Sequence, residues 1–324
     1  MYREILISEI HGEDRRFAIS YPEPPGEPLA RSLREQGLIH PLGVWSPTGQ
    51  PPWILVTGRR RWRVLRDLGR ASCPAWVASP ETLPRELFLR SLQDNLSSRP
   101  LNPREAALAL SGLLDLGEPE AALRETWIPL LSPGYAPRDL ATFRRFGELA
   151  PRHQEALARD ELHPQFLERL LRQAPVDRDA VLDVVLALQL GRNDQKQFLE
   201  RLEVISFRET IVPGALLQEP ALREILAAPG VSGGQKYAQL AAALDPRFRP
   251  ELHRLLAALE ERLRSAGPGF AVKAPGNLEG GRLTLSATFG SPEELRELAG
   301  KIAEWAGQGP AGEIFDLLTG RRKP

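Results

Sequence analysis

The periodicity of the apolar residues changes twice along this chain of 324 residues, and that change limits the possible folds more than any single motif does. Up to about residue 98, short apolar runs typical of strands alternate with helical patterns. From 99 to 205, every amphipathic stretch has helical spacing. The last part reads as helix, strand, strand, helix. We therefore expect an α+β protein with a mixed N-terminal part, an all-helical middle and a small C-terminal α-β-β-α unit.

Proline and glycine breaks add a fourth segment between the helical middle and the C-terminal unit. A chain of this length has room for two or three domains. The predicted segments are 1–98, 99–205, 206–250 as a connection, and 251–324.

Composition excludes several classes of protein. No apolar run approaches the roughly 20 residues of a membrane span, so we expect no membrane partner. The single cysteine, Cys73, excludes an internal disulfide and fits the reducing cytoplasm. The net charge is zero, and residues 99–205 hold 14 basic and 17 acidic side chains. Any contact with nucleic acid must therefore come from a local patch.

Residues 55–69, LVTGRRRWRVLRDLG, combine the end of an apolar strand, a glycine turn and a basic helix. The positive end of the helix dipole and its free N–H groups disfavour cations unless an anion lies among them. A phosphate is the obvious anion; an exposed basic helix face is the alternative. Five arginines fall within eight positions: Arg59, Arg60, Arg61, Arg63 and Arg66.

Two further helix starts are marked by capping signals. Asn102, Pro103 and Glu105 have the spacing of an N-cap, a first helical residue and the closing residue of a capping box. Ser291, Pro292 and Glu294 repeat the arrangement near the C-terminus.

The C-terminal unit has little core of its own, which favours pairing of two copies over packing on the preceding domain. One apolar stripe lies on its first helix and another on its last. The stripes are Leu252, Leu255, Leu256, Leu259 and Leu263, and then Leu295, Leu298, Ile302 and Trp305. Between them, GFAVKA and RLTLSATF are predicted strands joined by the turn PGNLEGG.

Three blocks together resemble the ParB family of partition proteins. LARSLREQGLIHPLGV is similar to the family's first helix and strand, and TGRRRWRVLRDLG to its arginine-rich phosphate motif. LQDNLSSRPLNPREAALAL resembles the block that ends in Leu-Asn-Pro-x-Glu. The blocks keep the family's order and spacing between residues 29 and 110.

The resemblance implies an N-terminal fold shared with sulfiredoxin, which binds CTP with Mg²⁺ in a dimeric, nucleotide-gated DNA clamp. Such a clamp serves chromosome or plasmid partition or a related nucleoid or regulatory task. Its partners are double-stranded DNA and, as a further candidate, a partition ATPase. It also implies a cytoplasmic, nucleoid-associated protein. The residues implied for the nucleotide are Ser32, Gly58, Arg60, Arg61, Arg63 and Asn95. Asp94 and Asn95 are implied for Mg²⁺.

The chain departs from the family pattern at three places that bear on the nucleotide, and one of them is Asp94, which stands where the family has a glutamate before the asparagine. Arg59 stands where the family has a glutamate linked to hydrolysis, so at most a weak CTPase is expected. The upstream Asn-Pro-x-x-Pro-Arg element is absent, and Arg15 or Arg16 is the candidate substitute. Hence a diverged scaffold or DNA-binding regulator without the nucleotide cycle is the alternative function. A nuclease ranks third, because no acidic cluster for metals is apparent.

The family reads DNA with a helix-turn-helix whose second helix enters the major groove. The best candidate for that helix is YAPRDLATFRRFGEL, residues 135–149, although the segment around it is net acidic. A protein-docking scaffold is the alternative. The residues predicted to contact DNA are Arg138, Thr142, Arg144 and Arg145.

Overall fold

The computed structural model describes residues 1–21, 27–264, 269–273, 283–307 and 309–318. They form two compact units: residues 1–202 with 211–236, and residues 203–210 with 237–324. The predicted connection, 206–250, is thus divided between the two units. The α+β class predicted from the sequence is confirmed.

The first unit contains a five-stranded mixed sheet in the order β1-β5-β3-β4-β2. β1 with β5 and β3 with β4 are antiparallel, whereas β2 with β4 and β3 with β5 are parallel. The strands are β1 (Tyr2–Leu6), β2 (Ile10–His11), β3 (Leu42–Trp45), β4 (Trp53–Thr57) and β5 (Ser72–Val77).

The stretch REILISEI does not form the single strand that its composition predicts. A 3₁₀ turn at Ile7–Glu9 separates β1 from β2 and sends them to opposite edges of the sheet. Ile5 and Ile7 are buried in strand alternation, but the next buried residue is Ile10, which is out of phase. Burying all three isoleucines requires the turn.

Three helices accompany the sheet: α1 (Glu27–Gln36), α2 (Arg59–Asp67) and α3 (Pro84–Ser98). Four consecutive residues of β4, 53–56, are buried, as in a strand covered on both faces. The core combines residues of the sheet and of α2: Ile5, Ile7, Ile10, Leu42, Val44, Trp53, Leu55, Trp62, Leu65, Cys73 and Ala75.

The helical part begins at the predicted capping box. Asn102 Oδ1 accepts a hydrogen bond from Glu105 N (2.9 Å), and Glu105 Oε2 accepts one from Asn102 N (3.1 Å). A π-turn at Leu123–Trp127 and a 3₁₀ turn at Phe146–Glu148 interrupt the series. The helices are α4 (Pro103–Asp115), α5 (Glu120–Ala122), α6 (Ile128–Leu131), α7 (Thr142–Arg145), α8 (Pro151–Ala158), α9 (Pro164–Leu170), α10 (Pro175–Ala187), α11 (Arg192–Glu209), α12 (Pro213–Leu217), α13 (Pro220–Ala227) and α14 (Gly233–Phe248).

The second unit holds the predicted helix–strand–strand–helix pattern, one helix after it, and residues 203–209 of α11 and 237–248 of α14. β6 and β7 form an antiparallel pair. Leu259, Phe270, Val272, Trp305 and Ile314 lie in its small core. The elements are α15 (Pro250–Arg264), β6 (Phe270–Lys273), β7 (Thr284–Ala287), α16 (Pro292–Gly307) and α17 (Gly309–Leu318).

Ser291 caps α16 as predicted, because its Oγ accepts a hydrogen bond from Glu294 N (3.1 Å). The Glu294 carboxylate accepts from Gly290 N, one residue before the cap. The predicted turn at 275–281 and the side chain of Leu263 lie outside the described residues. Of the helices that the structure describes, none is both long enough and apolar enough to span a bilayer.

Candidate nucleotide site

A cavity of about 190 Å³ opens where α2 begins. Residues 17–20 form one wall, and residues 58–61 at the start of α2 form another. The C-terminal half of α3 contributes Asp94 and Asn95. The cavity thus lies where the arginine-rich stretch meets the block that resembles the family's third motif.

Gly58 allows α2 to begin abruptly at this cavity. Its φ of 85° is in the left-handed region, and a Cβ would lie 2.7 Å from Leu42 Cδ2. No side chain caps the helix, and the first intrahelical hydrogen bond runs from Trp62 N to Gly58 O. The N–H groups of the first helical turn and the helix dipole therefore favour an anion here.

Arg60 is the residue whose surroundings most clearly imply an absent ligand. Its guanidinium lines the cavity, and its Nε is buried without a hydrogen-bond partner. Buried polar groups in folded proteins are nearly always paired, so an unpaired donor beside a cavity points to a missing acceptor. A phosphate oxygen is a suitable acceptor for an arginine.

Arg61 also lines the cavity, but its side chain already has partners. Nη1 donates to His40 O (2.6 Å), and Nη2 lies 3.3 Å from Asp94 Oδ2. The Arg61–Asp94 pair separates this cavity from a larger groove of about 930 Å³, because both side chains line both spaces.

Two predicted nucleotide-binding residues do not line the cavity. Ser32 Oγ lies 3.4 Å from Gln36 Oε1 on α1. Arg63 is half-buried on α2. The structure therefore brings together Gly58, Arg60, Arg61, Asp94 and Asn95, and it leaves the assignments of Ser32 and Arg63 as predictions.

Residues 17–20, which form one wall of the cavity, are not among the residues predicted to bind the nucleotide. Residues 12–21, here called the strap, have no strand or α-helix. Ser91 Oγ donates to Phe17 O (2.8 Å), and Ser20 Oγ donates to Asn95 Oδ1 (2.9 Å). Side chains of α3 thus hold the strap against the cavity.

Arg59, which stands where the family has a glutamate, binds the other end of the strap. Its guanidinium donates to Gly12 O (2.6 Å) and to Asp14 O, and the residue is only 8% exposed. The predicted substitutes Arg15 and Arg16 do not line the cavity. Arg16 pairs with Asp14; burial raises the pKa of this carboxyl, but the contacts with Arg16 outweigh it and lower the pKa.

A buried carboxylate fastens the end of the strap to the helical part. Glu105 is fully buried and accepts hydrogen bonds from Arg99, Tyr21 N and Asn102 N. The hydrogen bond with Glu105 raises the pKa of Arg99, which also lines the cavity. The capping box predicted one of these contacts; the others depend on the tertiary fold.

The side chains at the cavity fit a magnesium ion only together with a nucleotide. Within the described part of the chain, no three His, Cys, Asp or Glu side chains form a metal cage. Asp94 and Asn95 offer one carboxylate and one amide. Mg²⁺ is usually held by one or two carboxylates together with substrate phosphates. This pair therefore suits an ion carried by a triphosphate.

The prediction of a regular DNA-recognition helix over residues 135–149 is wrong. The structure has one turn of α-helix, α7, followed by the 3₁₀ turn. The rings of Tyr135, Phe143 and Phe146 pack against one another, with centroids 5.9–6.3 Å apart, and bury the segment. Asp139 Oδ1 accepts a hydrogen bond from Ala141 N and fixes the turn before α7.

Three of the four predicted DNA-contacting side chains have partners or are buried in this conformation. Thr142 is only 4% exposed, and its contact with DNA stays a prediction. Arg144 pairs with Asp115 (Nε–Oδ1 2.8 Å), and Arg145 donates to Leu171 O. Arg138 is exposed, and its role stays a prediction.

The fold and the cavity define an α+β protein in which a basic helix begins at a cavity of its N-terminal sheet domain. Residues 2–95 match the model of the ParB N-terminal domain. The chromosome-partitioning protein Spo0J of Thermus thermophilus is 31% identical over 198 residues, which span 60% of this chain and 69% of that protein. The chain belongs to the ParB family of chromosome-partitioning proteins. The probable chromosome-partitioning proteins ParB of Pseudomonas putida and Coxiella burnetii are matched over 47% and 29% of their length.

Two solved structures of the truncated ParB of Caulobacter crescentus are also similar. The complex with CTP-γ-S is 22% identical and covers 57% of this chain and 99% of that one, with a TM-score of 0.25. The complex with the centromeric parS site is 21% identical and covers 60% of this chain and 97% of that one, with a TM-score of 0.33.

Proposed function

We propose that this chain is a DNA-binding partition protein whose N-terminal domain binds CTP together with Mg²⁺. The observation that carries the nucleotide proposal is the buried, unpaired Nε of Arg60 beside the start of α2. Membership of the ParB family supports the proposal, as does the CTP analogue named for the Caulobacter protein.

In the proposed complex, the phosphates lie at the N–H groups of residues 59–61. Arg60 supplies a charge-assisted hydrogen bond, and Gly58 lets the backbone approach closely. Arg61 exchanges its pairing with Asp94 for a phosphate oxygen, which releases the Asp94 carboxylate toward Mg²⁺. Asp94 and Asn95 would hold the ion, whose charge would offset part of the charge of the phosphates.

Weak or absent hydrolysis is part of the proposal. Arg59 replaces the glutamate expected from the family, and its side chain is engaged with the strap backbone. It can neither abstract a proton nor orient a water molecule as a carboxylate would. Nucleotide binding would then act on this protein as a conformational ligand, by favouring the state that binds it more tightly.

Double-stranded DNA is the proposed macromolecular ligand, with chromosome or plasmid partition as the cellular role. The parS complex of the Caulobacter protein is the precedent within the family. Arg138 is the remaining exposed candidate for a DNA contact, and Arg144 becomes available only by leaving Asp115. A partition ATPase as a further partner stays a proposal from the family alone.

A homodimer through the second unit is also proposed. Every residue of β7 is exposed, and Leu285, Phe289, Leu295 and Phe315 are 40–48% exposed. β7 pairs with β6 along one edge, so the described sheet offers its other edge to a second copy. Burial of these apolar side chains would supply the core that so small a unit lacks.

Calorimetric titration with CTP, ATP, GTP and UTP, each with and without Mg²⁺, tests the nucleotide proposal directly. Selective, magnesium-dependent binding of CTP is the expected result. Arg60→Ala should abolish it, whereas Arg66→Ala on the same helix should not, because Arg66 is exposed and lies outside the cavity. Absence of binding to all four nucleotides would favour the alternative, a diverged scaffold or regulator.

A further inference from the structure

The strap has few interactions of its own to hold its shape. It contains no strand or α-helix, yet residues 17–20 form a wall of the proposed nucleotide cavity. Ser91 and Asn95 of α3 hold its second half at Phe17 and Ser20. Within its first half, Asp14 accepts hydrogen bonds from Arg16, and contacts with α2 join this half to the domain.

Arg59 holds that first half. The planar guanidinium donates to two carbonyl oxygens that are two residues apart, Gly12 O and Asp14 O. A lysine ammonium lacks this fixed fork of donors, and a carboxylate would repel both oxygens. The chemistry of the position therefore suits arginine and opposes the glutamate of the family pattern.

The strap is also pressed closely against α2 at this end. A Cβ on Gly12 would lie 1.8 Å from Cη2 of Trp62, so the strap backbone rests directly on the indole ring. Arg59 and Trp62 are both buried on α2. The start of the helix thus supports the strap at two points, one polar and one apolar.

We infer that the side chain of Arg59 has a positioning role: its guanidinium fixes the strap, and through it the shape of the nucleotide cavity, without itself contacting the phosphates. The expected consequence, a loss of nucleotide affinity when the strap is released, rests on the proposed function. The contacts of Arg59 with the strap are observed in the structure independently of any nucleotide.

Trypsin provides a direct measurement of the strap, because Arg15 and Arg16 lie within it. In Arg59→Met, cleavage after these residues should be at least about tenfold faster, because the loss of even one hydrogen bond from a charged donor gives a factor of about that size. Arg59→Lys should restore part of the protection. Arg70→Met is the matched control, since Arg70 is exposed beyond the end of α2. Thermal unfolding of each variant identifies any general loss of fold.

Ser91→Ala gives a second variant that does not touch α2. It removes the hydrogen bond to Phe17 O, so it should also speed cleavage in the strap. If Arg59→Met fails to fold, Arg59→Lys and Ser91→Ala still decide the question.

Titration with CTP and CDP separates positioning from direct contact. If Arg59 acts through the strap, Arg59→Met should weaken both nucleotides by the same factor, about tenfold, and Arg59→Lys by less. A larger loss for CTP than for CDP would mean a contact with the terminal phosphate and would overturn the inference. Unchanged cleavage of the strap would overturn it as well.

The two proposals fail in different ways. If the wild-type protein binds no nucleotide but Arg59→Met exposes the strap to trypsin, the proposed function fails and the structural role of Arg59 stands. If the wild-type protein binds CTP and the strap is cleaved equally in wild type and variants, the positioning role alone fails.

Discussion

Two arginine-rich segments of the first unit, 59–66 and 138–145, look alike in sequence and differ in structure. In the first, Arg60 lines a cavity, and its Nε is buried without a hydrogen-bond partner. In the second, Arg144 and Arg145 are engaged with Asp115 and Leu171 O. Arginine density therefore does not locate an anion site. What matters is whether the folded protein has already supplied the acceptors.

The backbone explains much of this difference. At Gly58 the left-handed φ starts a nine-residue helix with no side-chain cap, so its first N–H groups stay available. At α7 the helix lasts four residues, and the Asp139 side chain takes up a nearby N–H group. One segment therefore begins a regular helix at a cavity, and the other is a compact turn in the core.

The largest expected effect comes from removing the Glu105 carboxylate, which fastens the strap beside the cavity. Glu105→Ala leaves the N–H groups of Tyr21 and Asn102 and the guanidinium of Arg99 without their acceptor. Each buried donor left without its acceptor costs about 1–3 kcal/mol, whereas Arg99, which is 38% exposed, can be hydrated by solvent. Urea unfolding should show a loss of this size. A loss near that of a surface substitution would mean that the strap is not fastened to α4.

Arg60→Ala tests the cavity segment itself. Nucleotide affinity should fall by at least about tenfold, since a hydrogen bond to a charged group contributes about 1.5–3 kcal/mol. The free energy of unfolding without nucleotide should not fall, because the Nε of Arg60 has no acceptor to lose. Arg66→Ala should leave calorimetric binding unchanged; equal effects of the two variants would contradict the assignment.

Arg145→Ala tests the opposite expectation for the second segment. Its guanidinium donates to a backbone carbonyl, so its removal should cost about 1–2 kcal/mol of unfolding free energy by urea titration. Arg138→Ala is the control, because Arg138 is exposed and should have little effect on stability. If Arg145→Ala instead weakened DNA binding in filter assays at unchanged stability, Arg145 would belong to the DNA-binding surface after all.

The smallest expected effect is a pH dependence from another arginine–carboxylate contact of the helical part. Burial raises the pKa of Asp183, but hydrogen bonds from Arg152 and His153 outweigh it and lower the pKa. A carboxyl whose pKa is lower in the folded protein than in the unfolded chain stabilises the fold at pH values above its unfolded-state pKa. This stabilisation is lost as the pH falls through its folded-state pKa. Asp183→Asn should flatten the acid side of a plot of urea midpoint against pH. A plot identical to wild type would show that the pair contributes nothing measurable.

The local signals in the sequence predicted local structure well. The strand before Gly58, the helix after it and the capping box at Asn102 all appear in the structure. Each of these features depends on residues within one turn or one strand of one another. The predicted recognition helix failed because residues 135–137 are irregular and 138–141 form bends and a turn, with Tyr135 packed on Phe143 and Phe146.

By itself, the sequence determined the α+β class, the family blocks between residues 29 and 110 and the position of the arginine-rich helix start. Only the tertiary structure decided which arginines keep a free donor, because their acceptors come from distant parts of the chain: Gly12 for Arg59, His40 for Arg61 and Leu171 for Arg145. The physical reason is that spacing along a helix specifies the face on which a side chain lies, whereas the pairing of its donors depends on what the fold brings to that face.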